Sequence, residues 1–84
     1  MTDRQLIVKM ITERLATVIA EAEISDLTED RLLSSFAAFD SLGILETLVW
    51  VEDTFDVSIP DEELIVEHFN SIGKMADYVM TAKA

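Results

Sequence analysis

The sequence of 84 residues has no cysteine, one proline, two glycines, one histidine and only six lysine or arginine side chains. Without cysteine the chain cannot form a disulfide scaffold or a thiolate zinc site. No apolar run approaches the roughly 18 residues that a membrane-spanning helix needs, and the N-terminus lacks the uninterrupted apolar stretch of a signal peptide. We therefore expect no membrane span and a location in the cytoplasm.

The few basic side chains leave the chain strongly acidic. Seventeen acidic residues give a formal charge of −11, and residues 32–73 hold nine acids with no lysine or arginine. Such a surface repels phosphates, so we expect no nucleic acid partner. The acidic middle segment has two interpretations, a solubilising surface or a docking surface for basic partner proteins. Charge alone leaves both open.

Apolar residues make up 50% of the chain, which argues against disorder, and the length suits one small domain over residues 1–84. Apolar side chains recur at three- and four-residue steps, which is typical of amphipathic helices. This spacing predicts helices over 3–22, from residue 40 or 41 to a point before Pro60, and over 72–81, with a short helix over 61–66. The predicted fold class is all-α, a small antiparallel helical bundle of three main helices plus one short helix, with a long loop between helices 1 and 2.

Capping residues set the expected starts of these helices. Thr2 and Gln5 match a capping box for the first helix. Asp40 is a natural N-cap of the second helix, and its charge suits the positive end of the helix dipole. Asn70 or Ser71 is expected to cap the last helix. The residues expected to face the core are Leu6, Ile7, Met10, Ile11, Leu15, Val18 and Ile19 in the first helix, Leu32, Leu33, Phe36 and Phe39 in the long loop, Ile44, Leu48, Val51 and Phe55 in the second helix, and Ile72, Met75, Ala76 and Val79 in the last.

The sequence has one histidine and no cysteine, and no recognisable set of catalytic residues, so we expect no enzyme. A serine–histidine–acid triad would have to use His68, which is expected at a helix end as a solvated or capping residue, and no nucleophile elbow accompanies it. Gly43 and Gly73 are isolated in helical patterns and cradle no phosphate. No acidic stretch matches a calcium-binding loop, so no metal site is expected.

A specific combination of short motifs lies between Phe39 and Asp61. Asp40-Ser41-Leu42 is followed by Phe55-Asp56 and then by Ile59-Pro60-Asp61, and the final helix contains Ala76-Asp77-Tyr78-Val79. These residues and their spacing resemble the acyl carrier protein family. The resemblance extends over nearly the whole chain, although residues 1–35 match only in pattern.

The resemblance implies that Ser41 is the attachment point of 4′-phosphopantetheine, a covalent group that comes from coenzyme A, with Asp40 and Leu42 beside it. The arm would supply the thiol that the chain lacks. The start of a helix also favours a phosphodiester, because helix N-termini bind anions. From the residues alone, Ser41 could instead be a simple capping serine. The sequence departs from the family at Ala38, where glycine is usual, next to the bulky Phe39, and this leaves open whether the two residues alter the modification.

The second helix would then be the recognition helix. The residues expected to contact partners are Glu46, Val49, Trp50, Glu52, Asp53 and Asp56. Leu42, Leu45 and Val49 would add apolar contact or line a groove for an acyl chain. Trp50 is expected on the outer face as an anchor for a partner, with folding back across the bundle as the alternative.

The implied partners are a phosphopantetheinyl transferase, an acyl- or aminoacyl-loading enzyme, and downstream synthases or transferases with basic docking patches, and we expect a monomer. The first hypothesis is a freestanding acyl carrier protein for fatty acid, polyketide or related biosynthesis. Asp53-Thr54-Phe55-Asp56 also resembles D-alanyl carrier proteins, so an aminoacyl or peptidyl carrier is an alternative. A different hypothesis is an acidic helical interaction module that carries no arm. Ser41→Ala would separate a carrier from such a module.

Overall fold

The computed structural model describes residues 3–19, 23–36 and 39–83, and within these ranges three α-helices enclose one apolar core. Helix α1 spans Arg4–Val18, α2 spans Ser41–Phe55 and α3 spans Ile72–Lys83. Single turns of 3-10 helix occupy Ile24–Asp26 and Leu33–Ser35 between α1 and α2, and Asp61–Glu63 and Val66–His68 between α2 and α3. The prediction of a small all-α bundle with a long first connection is confirmed.

Helix α1 differs from the prediction at both ends. Asp3 is its N-cap, because the Asp3 carboxylate accepts a hydrogen bond from the Gln5 N–H at 3.0 Å, whereas Thr2 lies outside the described residues. The helix ends at Val18, and Ile19 takes an extended backbone with φ −93° and ψ 95°. Consecutive β-branched residues at the end of α1 favour extended over helical backbone, which explains the early stop. Residues 20–22, predicted helical, lie outside the described residues.

The predicted apolar face of α1 is confirmed at Ile7, Ile11, Leu15 and Ile19, which are buried. It is wrong at Leu6 and Val18, which are 54% and 42% exposed, and Met10 is half-buried.

The predicted core faces of α2 and α3 are largely confirmed. Ile44, Leu48 and Val51 of α2 are buried, whereas Phe55 is only half-buried against the edge of the core. Thr47 is also buried, and its hydroxyl donates to the Gly43 carbonyl at 2.9 Å, so its burial leaves no unpaired oxygen. The buried residues of α3 include all four predicted ones, Ile72, Met75, Ala76 and Val79.

The long loop between α1 and α2 covers the core, as its apolar residues predicted. Leu33, Phe36 and Phe39 are buried, and so is Leu27. Leu32 was expected to join them but is 53% exposed. Its backbone is extended, and neighbouring side chains on an extended chain point to opposite sides, so burial of Leu33 turns Leu32 outward.

Between α2 and α3 the predicted short helix takes the form of two separate 3-10 turns. Ile65, with φ −110° and ψ 120°, interrupts the helical backbone between them. The start of α3 resolves the choice of cap, because the Ser71 hydroxyl accepts a hydrogen bond from the Lys74 N–H at 3.2 Å. Asn70 instead bonds to the long loop. Helix α3 continues to Lys83, two residues past the predicted end.

Candidate functional site

Ser41 is the first residue of α2, and its side chain is exposed beside exposed Asp40 and Leu42. Asp40 is the N-cap, as predicted: its backbone is extended and its carboxylate accepts a hydrogen bond from the Gly43 N–H at 3.1 Å. The first N–H groups of a helix have no acceptor within the helix and carry the positive end of its dipole. Ser41 therefore presents its hydroxyl where an attached anionic group would be stabilised.

Phe39 and Gly43 fix the backbone around Ser41. The Phe39 side chain is 3% exposed, and its ring would lie 3.0 Å from a Cβ atom added at Gly43. The absence of that atom lets the ring pack directly against the first turn of α2. This contact was not predicted from the sequence. The available signal was a glycine inside an apolar helix, which costs about 1 kcal/mol relative to alanine and therefore indicates a close approach. Ala38 lies outside the described residues.

One face of α2 leads away from Ser41 and combines apolar with acidic side chains. Leu42, Glu46, Val49 and Asp53 are all exposed, and their spacing of four, three and four residues places them along one face. Leu42 and Val49 are 61% and 58% exposed, so this face offers apolar as well as charged surface to solvent. Leu45, beside them, is half-buried against the core. We call Leu42, Glu46, Val49 and Asp53 the outer face of α2.

Glu52 and Asp56 do not belong to the outer face of α2. The Glu52 side chain is half-buried and accepts a hydrogen bond from the Ile59 N–H at 3.1 Å. The Glu52 carbonyl accepts from the N–H groups of Asp56 and Val57, and Asp56 adopts the left-handed conformation with φ 55° and ψ 50°. Both residues therefore close the C-terminal end of α2, a role that the sequence analysis did not predict. Their contact with partners stays a prediction.

Trp50 folds towards α1, which was the alternative to a fully exposed position. Its ring is half-buried and makes an edge-to-face contact with Phe55, with ring centroids 5.8 Å apart. The Arg14 guanidinium lies 5.7 Å from the centre of the indole, within the range of a cation–π interaction. Trp50 and Arg14 line a shallow groove of about 310 Å³ together with Met10 and Thr17. An anchoring contact of this ring with a partner stays a prediction.

A second groove, of about 490 Å³, lies between α3 and the turns that precede it. Tyr78 and Phe69 line it with their ring centroids 5.2 Å apart, and the Tyr78 hydroxyl donates to the Glu63 carboxylate at 2.9 Å. Burial raises the pKa of Tyr78 above its ordinary value of 10.0, and the hydrogen bond to Glu63 raises it further. His68 is exposed at the end of its turn. The groove thus holds a neutral phenol at pH 7 and an exposed imidazole.

Among residues 3–19, 23–36 and 39–83, no helix is long and apolar enough to cross a membrane. In the same ranges no three histidine, aspartate or glutamate side chains are close enough together to hold a metal ion.

Comparison with known proteins gives consistent matches over most of the chain. Residues 7–79 match the family described as "Phosphopantetheine attachment site", and this range contains Ser41 and all of α2. An acyl carrier protein of Clostridium acetobutylicum is 36% identical over 73 residues, which cover 83% of this chain and 92% of the relative. An acyl carrier protein of Amoebophilus asiaticus is 32% identical over 75 residues, covering 89% and 85%. One of Exiguobacterium sp. is 28% identical over 81 residues, covering 96% and 98%.

Proposed function

Because this chain belongs to the acyl carrier protein family, whose members are carriers and not enzymes, we propose that it carries acyl intermediates as thioesters on Ser41. The family bears a covalent 4′-phosphopantetheine arm, so the specific proposal concerns the residue and the cargo. The observation that carries the choice of residue is the exposed Ser41 hydroxyl at the capped start of α2. Asp40 and Leu42 flank that hydroxyl and would lie beside the base of the arm.

The residues around Ser41 fit such an arm. The serine is exposed, and a 15-residue helix directs the positive end of its dipole at the position of a phosphodiester. The chain has no cysteine, so a thioester needs the thiol that the arm supplies when bound. Ser41 Oγ would form a bond to phosphorus as the pyrophosphate bond of coenzyme A breaks. Adenosine 3′,5′-bisphosphate would leave, and the hydroxyl proton would pass to a base of the transferase.

Partner enzymes are proposed to dock on the outer face of α2. Glu46 and Asp53 supply negative charge there, and Leu42 and Val49 supply exposed apolar surface close to Ser41. Exposed ion pairs contribute little affinity individually, so the acids would mainly raise the association rate and orient the partner. The partners are a phosphopantetheinyl transferase, a loading enzyme and downstream synthases or transferases with basic patches.

The cargo is proposed to be an acyl chain from fatty acid, polyketide or related biosynthesis. The names of the relatives support acyl over aminoacyl cargo, although Asp53-Thr54-Phe55-Asp56 keeps an aminoacyl carrier as the second candidate. We also propose that residues 1–84 form one carrier domain. Matches over 85% to 98% of the relatives' own lengths support this. The monomeric state and the location in the cytoplasm stay predictions.

The deciding experiment is intact mass spectrometry after incubation with coenzyme A and a broad-specificity phosphopantetheinyl transferase. Wild-type protein should gain one phosphopantetheinyl group, and Ser41→Ala should gain none. Ser58→Ala is the matched control, because Ser58 is also exposed and lies beyond α2, so it should be modified like wild type. Folded protein that gains no mass with two different transferases would contradict the proposal and favour the interaction module.

A further inference from the structure

Asn70 connects the long loop to the segment just before α3, 36 residues further along the chain. The Asn70 carbonyl accepts a hydrogen bond from the Leu33 N–H at 3.0 Å. Its side-chain oxygen accepts from the Ser34 N–H at 3.0 Å, and its side-chain nitrogen donates to the Ser34 hydroxyl at 2.9 Å. One residue therefore makes three hydrogen bonds to two consecutive loop residues. We call this set of contacts the Asn70 clamp.

The Asn70 clamp caps the start of the turn Leu33–Ser35. The turn Leu33–Ser35 begins without a side-chain hydrogen bond from its own N-cap residue, Leu32. The first N–H groups of any helical turn have no partner inside the turn and need an acceptor from elsewhere. Asn70 supplies acceptors to the N–H groups of Leu33 and Ser34, the first two of this turn. A second contact nearby, from the Gly73 N–H to the Glu29 carbonyl at 3.1 Å, holds the same loop to α3.

A short series of contacts leads from this turn to the start of α2. Phe36 donates its N–H to the Leu33 carbonyl, and Phe39 donates its N–H to the Phe36 carbonyl. Both aromatic side chains are buried, and the Phe39 ring packs on the first turn of α2 at Gly43. The clamp therefore holds the loop at a point seven residues before Ser41, and two backbone hydrogen bonds and the packing of the Phe39 ring connect that point to the helix N-terminus.

We infer that Asn70 is a positioning residue for the modification of Ser41, an inference that rests on the proposed function. The hydrogen bonds of Asn70 go to Leu33 and Ser34 and not to Ser41, so it would act through the loop. It fixes the position of the turn Leu33–Ser35 against the segment before α3, and through buried Phe36 and Phe39 it favours the position of the start of α2 that a transferase must recognise. When a binding-competent conformation is only partly populated, apparent affinity falls by that fraction. Loss of the clamp should therefore raise KM for the carrier protein and change kcat little.

The test compares Asn70→Ala and Asn70→Asp with wild type and with Ile11→Val, a variant of a buried residue in α1 that lowers stability and leaves every hydrogen bond of the Asn70 clamp in place. For Asn70→Ala we expect KM for phosphopantetheine transfer to rise about threefold to tenfold, the scale of one or two lost hydrogen bonds. Asn70→Asp should remain near wild type, since a carboxylate accepts from the Ser34 N–H and from the Ser34 hydroxyl. Ile11→Val should leave KM unchanged.

Amide hydrogen exchange on the same unmodified proteins provides a readout that does not depend on the transferase. Asn70→Ala should accelerate exchange of the Ser34 and Phe39 N–H groups relative to Ile11→Val. The inference is overturned if KM for Asn70→Ala matches that of Ile11→Val, or if Asn70→Asp behaves like Asn70→Ala. Wild type that is never modified at Ser41 refutes the proposed function instead. In that case the exchange rates of the Ser34 and Phe39 N–H groups alone test the clamp. If these rates are unchanged in Asn70→Ala, the inference is overturned.

Discussion

Replacement of Asp56 by glycine should stabilise the protein, because Asp56 is held in a conformation that disfavours L-residues. Asp56 follows the last residue of α2 with φ 55° and ψ 50°, and it is the only described residue other than glycine with a positive φ. Its carboxylate is exposed and lies at the negative end of the α2 dipole. Both backbone strain and helix electrostatics therefore oppose aspartate at this position.

The expected gain can be assembled from these two contributions. Left-handed backbone costs an L-residue about 1–2 kcal/mol, less for Asp and Asn, and glycine carries no such cost. Removal of an acid from a helix C-terminus contributes roughly 0.3–1 kcal/mol. The greater freedom of glycine in the unfolded chain lowers this gain by roughly 0.5 kcal/mol. Asp56→Gly should therefore raise the free energy of unfolding by about 1 kcal/mol, which raises Tm by roughly 4–8 °C in a domain of this size.

The assay is urea unfolding of Asp56→Gly, Asp56→Asn and Asp56→Ala, followed by far-UV circular dichroism. The three variants carry the same charge, so their differences report the backbone alone. We expect Gly to be the most stable, Asn intermediate because it tolerates left-handed backbone, and Ala about 1 kcal/mol below Asn. An alanine variant as stable as the glycine variant would refute the reasoning, since strain at Asp56 would then contribute nothing.

Two further predictions concern the segments that follow α2. Glu52→Ala should lower the free energy of unfolding by about 1–3 kcal/mol, because it leaves the N–H of buried Ile59 without its acceptor. Glu52→Gln keeps an acceptor and should cost less, and urea unfolding measures both variants. Tyr78 has a raised pKa in the folded protein, so its stabilising contribution is complete below its ordinary pKa of 10.0 and is lost as pH rises through the folded value. Stability of wild type should therefore fall more steeply than that of Tyr78→Phe as pH rises above about 10, and parallel curves would contradict this assignment.

The sequence predicted features that depend on local periodicity and capping. The start of α2 at Ser41, its Asp40 cap and the buried stripes of α2 and α3 all follow from residues a few positions apart. The prediction of Ser41 as the candidate site has the same origin, because its motif is continuous in the chain. Local preferences of this kind are kept in the folded structure when the tertiary contacts favour the same conformation.

Features that depend on distant partners could not be predicted. Nothing near Asn70 in the sequence indicates that its side chain bonds to Ser34, and the simpler expectation was a cap for α3. Glu52 was assigned to the recognition surface for its charge, although its side chain turns to the Ile59 N–H across the end of α2. The hydrogen-bond partner of a turn can be predicted from the sequence only when that partner lies a few residues away.

The position of Trp50 makes the protein its own fluorescent reporter. It is the single tryptophan, half-buried between α1 and α2 in contact with Arg14 and Phe55. Any event that separates the two helices would expose the indole and shift its emission to longer wavelength. Trp50 lies nine positions after Ser41 in α2, a rise of about 13–14 Å, which suits energy transfer to a fluorophore carried on the arm. The state of the bundle could thus be followed without any label, and the movement of the arm with a label on the arm alone.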